Sequence, residues 1–494
     1  MSRLPLFLVA LLLALPLTLS ACGGGEKTSE VGTVSGGAVE FAPADAAMVL
    51  LANTDFESAQ WQAAQALLDR FPSGDKLISE LLSEVEQEGL DWETDIKPAL
   101  GPEVGLVALS FATPEGEFVG FTKPRDPEKF AQLLAEADDP AVVAEIEGWT
   151  VFSDKQESID RFQQGREAGS LGDSETFNAA TAGLSGDGIF TLYLDGESLI
   201  ESATADDPDA AQGFEMLSGT LGSLRSMALE VVAEKNGVRL DGVVETEGGP
   251  VLETYDAGLP SEVSADAFAY VSFSNLEDSL GEALDAIGQS TPDFDQQLGL
   301  LELGVGLSFT EDLLPLFAGE GALAVAPGSP LPAISLILEV EDDAAALATV
   351  DKLATAAGGF VGGGAKPVST EIEGVQAKQL AVEGVAIFYA GFDGKLVVTT
   401  SREGIAGLLD DGPKLADDPD FQAAKEAAGM PDETTGFFYV DLGKAIQLIG
   451  DYAQLAGDAI PLDVSENLEP LGSLLAYGAR QDGAITFTGF LGIE

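Results

Sequence analysis

The chain has 494 residues, and 84 Asp and Glu against 23 Lys and Arg give it a formal net charge of −61 at pH 7. This charge argues against nucleic acid as a partner, because phosphate backbones carry the same sign. One Cys and no His exclude an intramolecular disulfide, a Ser-His-Asp triad and an HExxH zinc site.

The acidic residues are spread along the chain, which is typical of a solvated surface. A basic partner, divalent cations and a salty habitat are the alternatives that the charge leaves open. A hydrophobic content of 45% is enough for a sizeable core, and the length allows two or more domains. The sequence therefore predicts a folded protein rather than a disordered polyanion.

Residues 1–21 have the layout of a bacterial lipoprotein signal peptide, with Arg3 followed by a long apolar run. The run has roughly 16 residues, which is short against the ~20 that span a bilayer. It ends in a tetrapeptide that resembles the lipobox: Leu19, Ser20, Ala21 and Cys22. We expect cleavage before Cys22 and lipidation of its thiol, since two or more acyl chains such as palmitate hold a protein stably at a membrane.

The segment 22–40 is rich in Gly and has no large apolar residue except isolated Val. This composition predicts a flexible tether between the lipid and a folded body. No later apolar stretch is long enough to span a bilayer, so we expect the body to lie outside the membrane. The predicted location is extracytoplasmic, in the cell envelope.

After the tether, the spacing of apolar residues predicts strands and helices in a mixed order. The first half is expected to contain strand 47–53, helices 57–70 and 76–88, a short helix or turn in 92–101, strands 104–111 and 117–122, a helix from Asp126-Pro127, strand 149–153, helix 157–164, strand 189–194 and a hairpin over 227–245.

The sequence repeats itself. Residues 89–109 align with 306–326, and six identities fall in the same order: Gly89, Leu90, Asp95, Pro98, Glu103 and Leu106 match Gly306, Leu307, Asp312, Pro315, Glu320 and Leu323. EIEG recurs at 145–148 and 371–374, and Asn236-Gly237 and Asp482-Gly483 are equivalent hairpin signals. The second copy is expected to carry two insertions, a flexible Gly-rich stretch at 358–364 and a hairpin at 379–395.

These observations predict two α+β units, residues 41–253 and 254–494. Each unit is expected to be a mainly antiparallel sheet with helices packed on one face. Whether the two sheets lie side by side or join is left open by the sequence.

The Pro43-Ala44-Asp45 opening, the segment from Gly89 to Gly101 and the duplicated layout resemble the bacterial envelope lipoproteins of the domain-of-unknown-function family DUF3352. The shared residues are packing and turn residues. The resemblance implies an anchor and a tandem α+β body, and it assigns no catalytic residue.

The chain has few motifs of catalysis. Ser73 and Lys76 match the S-x-x-K motif of acyl enzymes, but a helix cap by Ser73 is the favoured interpretation. The acidic clusters 206–209 and 417–420 lack EF-hand spacing and are interpreted as loop or helix-start acids, with incidental calcium binding as the alternative. Carboxylate pairs for a glycosidase are possible in any chain this acidic.

We therefore expect a non-catalytic, lipid-anchored binding or interaction module, with no metal or cofactor and with a protein or small-molecule partner. One alternative is a carrier that holds a small apolar ligand between helices and sheet, which requires an apolar cavity. The other is a hydrolase that uses carboxylates alone, which requires two buried acids in a cleft.

Overall fold

The structure is a computed structural model that describes residues 37–87, 89–111, 116–136, 141–204, 222–248, 253–291, 294–328, 332–361, 365–382, 385–456, 460–481 and 484–494. The predicted signal peptide, the lipobox with Cys22, the tether up to residue 36 and the acidic cluster 206–209 lie outside the described residues.

Twenty strands are described. They are β1 Met48–Asn53, β2 Glu103–Ser110, β3 Glu117–Thr122, β4 Val142–Ile146, β5 Trp149–Ser153, β6 Phe190–Asp195, β7 Ser223–Glu234, β8 Gly237–Glu247, β9 Tyr255–Asp256, β10 Ala269–Ser274, β11 Glu320–Ala326, β12 Ala333–Glu339, β13 Val368–Ile372, β14 Val375–Val382, β15 Val385–Phe392, β16 Lys395–Thr399, β17 Glu433–Thr434, β18 Gly436–Asp441, β19 Leu471–Gln481 and β20 Ala484–Ile493.

The α-helices in the described residues are Gly37–Phe41, Ala59–Leu68, Gly74–Gln87, Lys97–Ala99, Pro127–Glu136, Gln156–Ala168, Glu175–Ala180, Gly196–Thr204, Leu276–Ser290, Phe294–Val305, Asp343–Val361, Arg402–Leu409, Pro419–Ala428, Leu442–Ala456 and Leu462–Leu468. Two π-helical turns, Trp92–Ile96 and Phe309–Leu313, precede shorter helical turns.

Eighteen strands form one sheet, in which every pair is antiparallel. The strand pairings give the spatial order β4-β5-β3-β2-β1-β6-β7-β8-β20-β19-β18-β10-β11-β12-β16-β15-β14-β13. The predicted α+β class is confirmed. The two sheets, whose relation the sequence left open, join through β8 and β20.

The pairing scheme of the first half recurs in the second. β1 lies between β2 and β6, and β10 lies between β11 and β18 in the same way. The closing strands follow as β6-β7-β8 and β18-β19-β20. The duplication itself stays a prediction, with which this repeated order agrees.

The two outer edges of the sheet differ. By position, β15 and β16 in the second half occupy the place of β4 and β5 in the first, and β13 and β14 extend the edge. The sequence instead predicted the extra hairpin at 379–395. The two EIEG turns therefore do not occupy equivalent places, since one joins β4 to β5 and the other joins β13 to β14.

Alternate side chains point to opposite faces of the sheet. The first face carries Val49 and Val107 in the first half and Tyr270 and Tyr439 in the second, and helices cover it in both halves. The second face, which carries Ala52 and Val104 in the first half, is also covered there by helices. The prediction of helices on one face is therefore wrong for the first half, because large side chains of helices after β1 also bury on the second face.

Two other predicted boundaries are corrected. The tether was predicted to reach residue 40, but Gly37–Phe41 is a helix in which Ala38 and Val39 are buried. Their apolar side chains pack in the core, so residues 37–40 belong to the folded body. The stretch at 358–364 was predicted to be flexible, but helix Asp343–Val361 includes Gly358 and Gly359, and residues 362–364 lie outside the described residues.

Candidate functional site

The candidate site is the second face of the sheet in the second half, where the covering layer is thin. The buried apolar residues there form a small cluster of Leu338, Ala346 and Leu396. The equivalent layer of the first half is a large cluster that includes Trp61, Trp92 and Phe130. The second half therefore leaves part of this face open.

The two halves build the start of this layer in the same way. The turns Trp92–Ile96 and Phe309–Leu313 are both π-helical. In the first, Asp95 Oδ2 accepts a hydrogen bond of 2.9 Å from the backbone N–H of Asp91. In the second, Asp312 Oδ2 accepts one of 2.7 Å from the N–H of Ser308. The local backbone is thus held alike in both halves.

Burial at matched positions is nevertheless different. Trp92 is 6% exposed, whereas Phe309 is 37% exposed. On the strand that follows, Leu106 is 6% exposed and Leu323 is 37% exposed. Because the backbone is similar, the difference lies in what covers these side chains.

Helix Phe294–Val305 is the most exposed apolar element of this region. The structure describes all of its residues, and none of them is buried. Leu300, Leu301 and Leu303 are 63%, 60% and 82% exposed. The helix packs mainly against helices Leu276–Ser290 and Asp343–Val361. Since large apolar side chains gain free energy by leaving water, such exposure makes this helix a candidate interaction surface.

Phe309 lies beside the same helix, because its backbone N–H donates a 2.6 Å hydrogen bond to Glu302 Oε1. We call Leu300, Leu301, Leu303 and Phe309 the leucine surface. Sequence reasoning missed it. The available signal was the leucine-rich segment LGLLELGV at 298–305, which reads equally well as a buried helix.

The surroundings of the leucine surface are acidic. Between Arg239 and Lys352 the sequence contains no Lys or Arg. On helix Leu276–Ser290, Asp278, Glu282 and Asp285 are exposed at a spacing that places them on one side of the helix. The exposed leucines are therefore accompanied by a rim of carboxylates on helix Leu276–Ser290, which contacts the leucine helix, whereas helix Asp343–Val361, which also contacts it, carries Lys352.

Two carboxylates at positions that match in the sequence, buried Glu320 and partly buried Glu103, serve the fold. Glu320 accepts hydrogen bonds from the backbone N–H groups of Gly258 and Leu259, at 2.8 and 3.0 Å. Glu103 accepts one from the N–H of Ala38. Burial raises the pKa of both carboxyls above the usual value. Each carboxylate ties a short helical turn to the first residue of a strand.

A third buried acidic group, Asp418, caps helix Pro419–Ala428. Lys444 Nζ lies 3.1 Å from Asp418 Oδ2 and 3.0 Å from Asp441 Oδ2. Although burial raises the pKa of Asp418, the backbone N–H of Phe421 and the ammonium of Lys444 hold it below the usual value. The ammonium of Lys444 thus partly balances the charge of the two carboxylates that precede helices Pro419–Ala428 and Leu442–Ala456.

Ser73 directly precedes helix Gly74–Gln87, but its hydroxyl accepts a 2.8 Å hydrogen bond from the Asn467 side chain. Lys76 is 75% exposed and pairs with Glu80. The structure therefore does not bring the serine and lysine of the S-x-x-K motif together as an acyl enzyme requires.

The described part of the chain offers little that is typical of a metal, membrane or ligand site. No group of three or more Asp, Glu or Cys residues there is arranged to hold a metal ion. None of the helices described is both long and apolar enough to cross a membrane. An open depression of about 640 Å³ beside helix Pro419–Ala428 is lined by Lys425, Glu426 and Asp432 as well as apolar residues.

No curated protein matches the chain. Two solved structures of TP0453 are distantly similar. Crystal form IV is 14% identical, with 48% of this chain and 81% of that chain covered and a TM-score of 0.24. Crystal form III is 10% identical, with 45% and 83% covered and a TM-score of 0.20.

One family profile matches residues 135–474, which is most of the chain. The match includes β4 to β18 and the candidate site. The chain therefore belongs to the family DUF3352, which is described as a protein of unknown function.

Proposed function

We propose that the protein is a lipid-anchored, extracytoplasmic binding module of the cell envelope with no catalytic activity of its own. The observation that carries the binding role is the leucine surface, where three leucines of one helix are exposed beside Phe309, whose counterpart Trp92 is buried. The anchor rests on the sequence of residues 1–22, where the sole Cys follows a lipobox-like tripeptide.

The chemistry of the buried acids supports a non-catalytic role. Glu320 and Asp418 direct their oxygens at backbone N–H groups of helical turns, and Asp418 is also paired with Lys444. A carboxylate-only hydrolase needs two such acids facing one cleft. Capping interactions account for these groups without a reaction.

A carrier of a small apolar ligand is the second candidate. It is favoured by the partly buried side chains around the small cluster of the second half, which include Phe273, Phe317 and Leu336. A ligand placed among them would replace the packing that the first half obtains from its aromatic residues.

The anchor is tested by a Cys22→Ser variant. We expect wild-type protein to fractionate with membranes and to carry an acyl mass on Cys22, and the variant to lose both. Fractionation and mass spectrometry of the N-terminal peptide measure this. A variant that stays in the membrane fraction overturns the anchor.

The binding role is tested in cells by placing the photo-cross-linker p-benzoylphenylalanine at Leu303. Exposed Glu157 in the first half is the control position. We expect a discrete adduct at position 303 only, identified by mass spectrometry as protein or small molecule. Equal labelling at both positions, or none at 303, contradicts a binding role for this surface.

A further inference from the structure

We infer that the leucine surface docks a cationic amphipathic helix of a partner protein. This inference rests on the proposed binding role and does not depend on the lipid anchor. It names the chemistry of the partner, which the cross-linking experiment leaves open.

The apolar part of the argument comes from helix Phe294–Val305. Leu300 and Leu303 are one turn apart, so they present their side chains to the same side. With about 100° of rotation per residue, Leu301 lies on one side of Leu300 and Leu303 on the other, and Phe309 adjoins the helix at Glu302. A strip of this kind fits the i, i+3, i+4 apolar positions of a second helix, which is how amphipathic helices are recognised.

The electrostatic part comes from the rim. Asp278, Glu282 and Asp285 are exposed on the neighbouring helix Leu276–Ser290, and Asp295 is exposed on the leucine helix itself. Lys352, on helix Asp343–Val361, is the cation nearest along the chain to the leucine helix. A partner with basic residues on the flanks of its apolar strip would meet opposite charge on this rim.

The same rim disfavours other occupants. A second copy, docked symmetrically through the same surface, would set Asp278, Glu282 and Asp285 close to the same acids of its partner. Anionic lipid headgroups would be repelled in the same way. A positively charged helix is the occupant for which apolar and charged contacts are both favourable.

Synthetic 14-residue helical peptides test the charge preference. Their binding to full-length protein in phosphatidylcholine nanodiscs is measured by fluorescence anisotropy, with empty nanodiscs as the blank. We expect a Leu/Lys peptide to bind at least tenfold tighter than a Ser/Lys peptide of equal charge and than a Leu/Glu peptide of equal hydrophobicity. Its affinity is expected to fall as salt is added.

Two variants locate the binding surface. Leu300→Ser combined with Leu303→Ser, and Glu282→Lys combined with Asp285→Lys, are each expected to weaken the Leu/Lys peptide tenfold or more. Leu462→Ser, at a leucine that is 72% exposed on another helix, and Glu157→Lys are the matched controls and should leave affinity unchanged. Circular dichroism checks that every variant remains folded.

Several results would overturn the inference. They are equal affinity for the Leu/Lys and Leu/Glu peptides, no effect of the leucine variant, a dimer that the leucine variant dissociates, or co-sedimentation with phosphatidylcholine vesicles that this variant reduces. If position 303 still cross-links a molecule in cells, the binding role stands and only the cationic-helix partner is wrong. If neither experiment shows binding, the proposed function fails as well.

Discussion

Individual acidic residues in this chain are used to hold elements together. Glu103 and Glu320 begin β2 and β11, and each accepts hydrogen bonds from the backbone of a short helical turn. A Cβ on Gly37 would lie 3.0 Å from Glu103 Oε1, and one on Gly258 would lie 3.4 Å from Glu320 Oε2. The close approach of chain and carboxylate is thus repeated in both halves.

The pKa of Glu320 gives a prediction. Burial, with smaller contributions from Glu339 and Glu262, raises this pKa in the folded state. The proton is therefore held more tightly in the folded than in the unfolded chain. Stability from this group is fully present below the unfolded pKa, near 4.5, and is lost as pH rises through the folded pKa.

Glu320→Gln keeps a carbonyl acceptor for Gly258 and Leu259 but cannot ionise. We expect its free energy of unfolding to increase relative to that of wild type as pH rises from about 4 to about 7, which means that the variant becomes relatively more stable. Urea unfolding at a series of pH values measures the difference, with exposed Glu157→Gln as the control. A difference that is constant or shrinks with rising pH contradicts the assignment.

The sequence predicted part of this arrangement. The alignment paired Glu103 with Glu320, and in the structure each accepts hydrogen bonds from the backbone of a short helical turn. Their role was not predictable, because the backbone groups that they bind are 61 or more residues away in the sequence. Pairwise spacing along the chain carries no information about such contacts.

At the scale of elements, matched segments of the two halves have similar backbone conformations, but their side chains are buried to different extents. Trp92 and Phe309 begin equivalent π-helical turns. Trp92 also makes an edge contact with Phe56, with ring centroids 5.3 Å apart. Phe309 remains 37% exposed. The same local fold therefore stabilises the first half more than the second.

This difference predicts unequal effects of truncation. Trp92→Ala should lower the free energy of unfolding by about 3–5 kcal/mol, because it leaves a cavity in a packed layer. Phe309→Ala should cost less than about 1 kcal/mol, because the ring is already partly in water. Urea unfolding followed by circular dichroism measures both.

Trp92→Phe is the matched control, because it places in the first half the same side chain that the second half has at the matching position, Phe309. It is expected to cost less than Trp92→Ala, and it removes an indole N–H that has no hydrogen-bond partner. Equal costs for Trp92→Ala and Phe309→Ala would mean that Phe309 is packed in solution, which would also remove it from the leucine surface.

Strand boundaries were well predicted where alternation and turn signals coincide. Strands 117–122 and 149–153 are β3 and β5 without change. The position of the extra hairpin was not predicted correctly. The two EIEG turns are locally alike, since both have Glu and Gly at positive φ, but they lie at different places in the sheet. A turn sequence determines which two strands form a hairpin. The strand that pairs with the outer side of the hairpin is held by backbone hydrogen bonds, which any side chain allows, so the turn does not predict it.

For the whole molecule, β20 is the element that belongs to both halves. It pairs with β8 from Ile485 opposite Val244 to Gly492 opposite Gly237. Phe490 is buried in the second-half core, and Ile493 is buried in the first-half core. The last strand thus links the two cores by backbone and by side chains.

A second link lies beside this strand. Asn467 donates to the Ser73 hydroxyl at 2.8 Å and accepts from the Ser73 N–H at 2.8 Å. The sequence could not indicate that β8 pairs with β20. Each half closes with a similar hairpin, and no pattern in the sequence predicts which strand pairs with the outer side of that hairpin. The sequence was equally compatible with two separate sheets and with one continuous sheet.

The continuous sheet predicts that the two halves unfold together. Trp61, Trp92 and Trp149 are the only tryptophans and all lie in the first half, so their fluorescence reports on that half alone. Circular dichroism reports on both halves. We expect the two signals to give coincident urea transitions, as a cooperative unit requires.

Ile493→Ala sharpens this test, because the residue is in the second half and its side chain is in the core of the first. It should shift both transitions to lower urea by a similar amount, at a cost of about 2–5 kcal/mol. Leu462→Ala, at a leucine that is 72% exposed, should shift neither. Tryptophan emission that moves while the dichroism of the second half persists would show that β8 and β20 join two independently folding units.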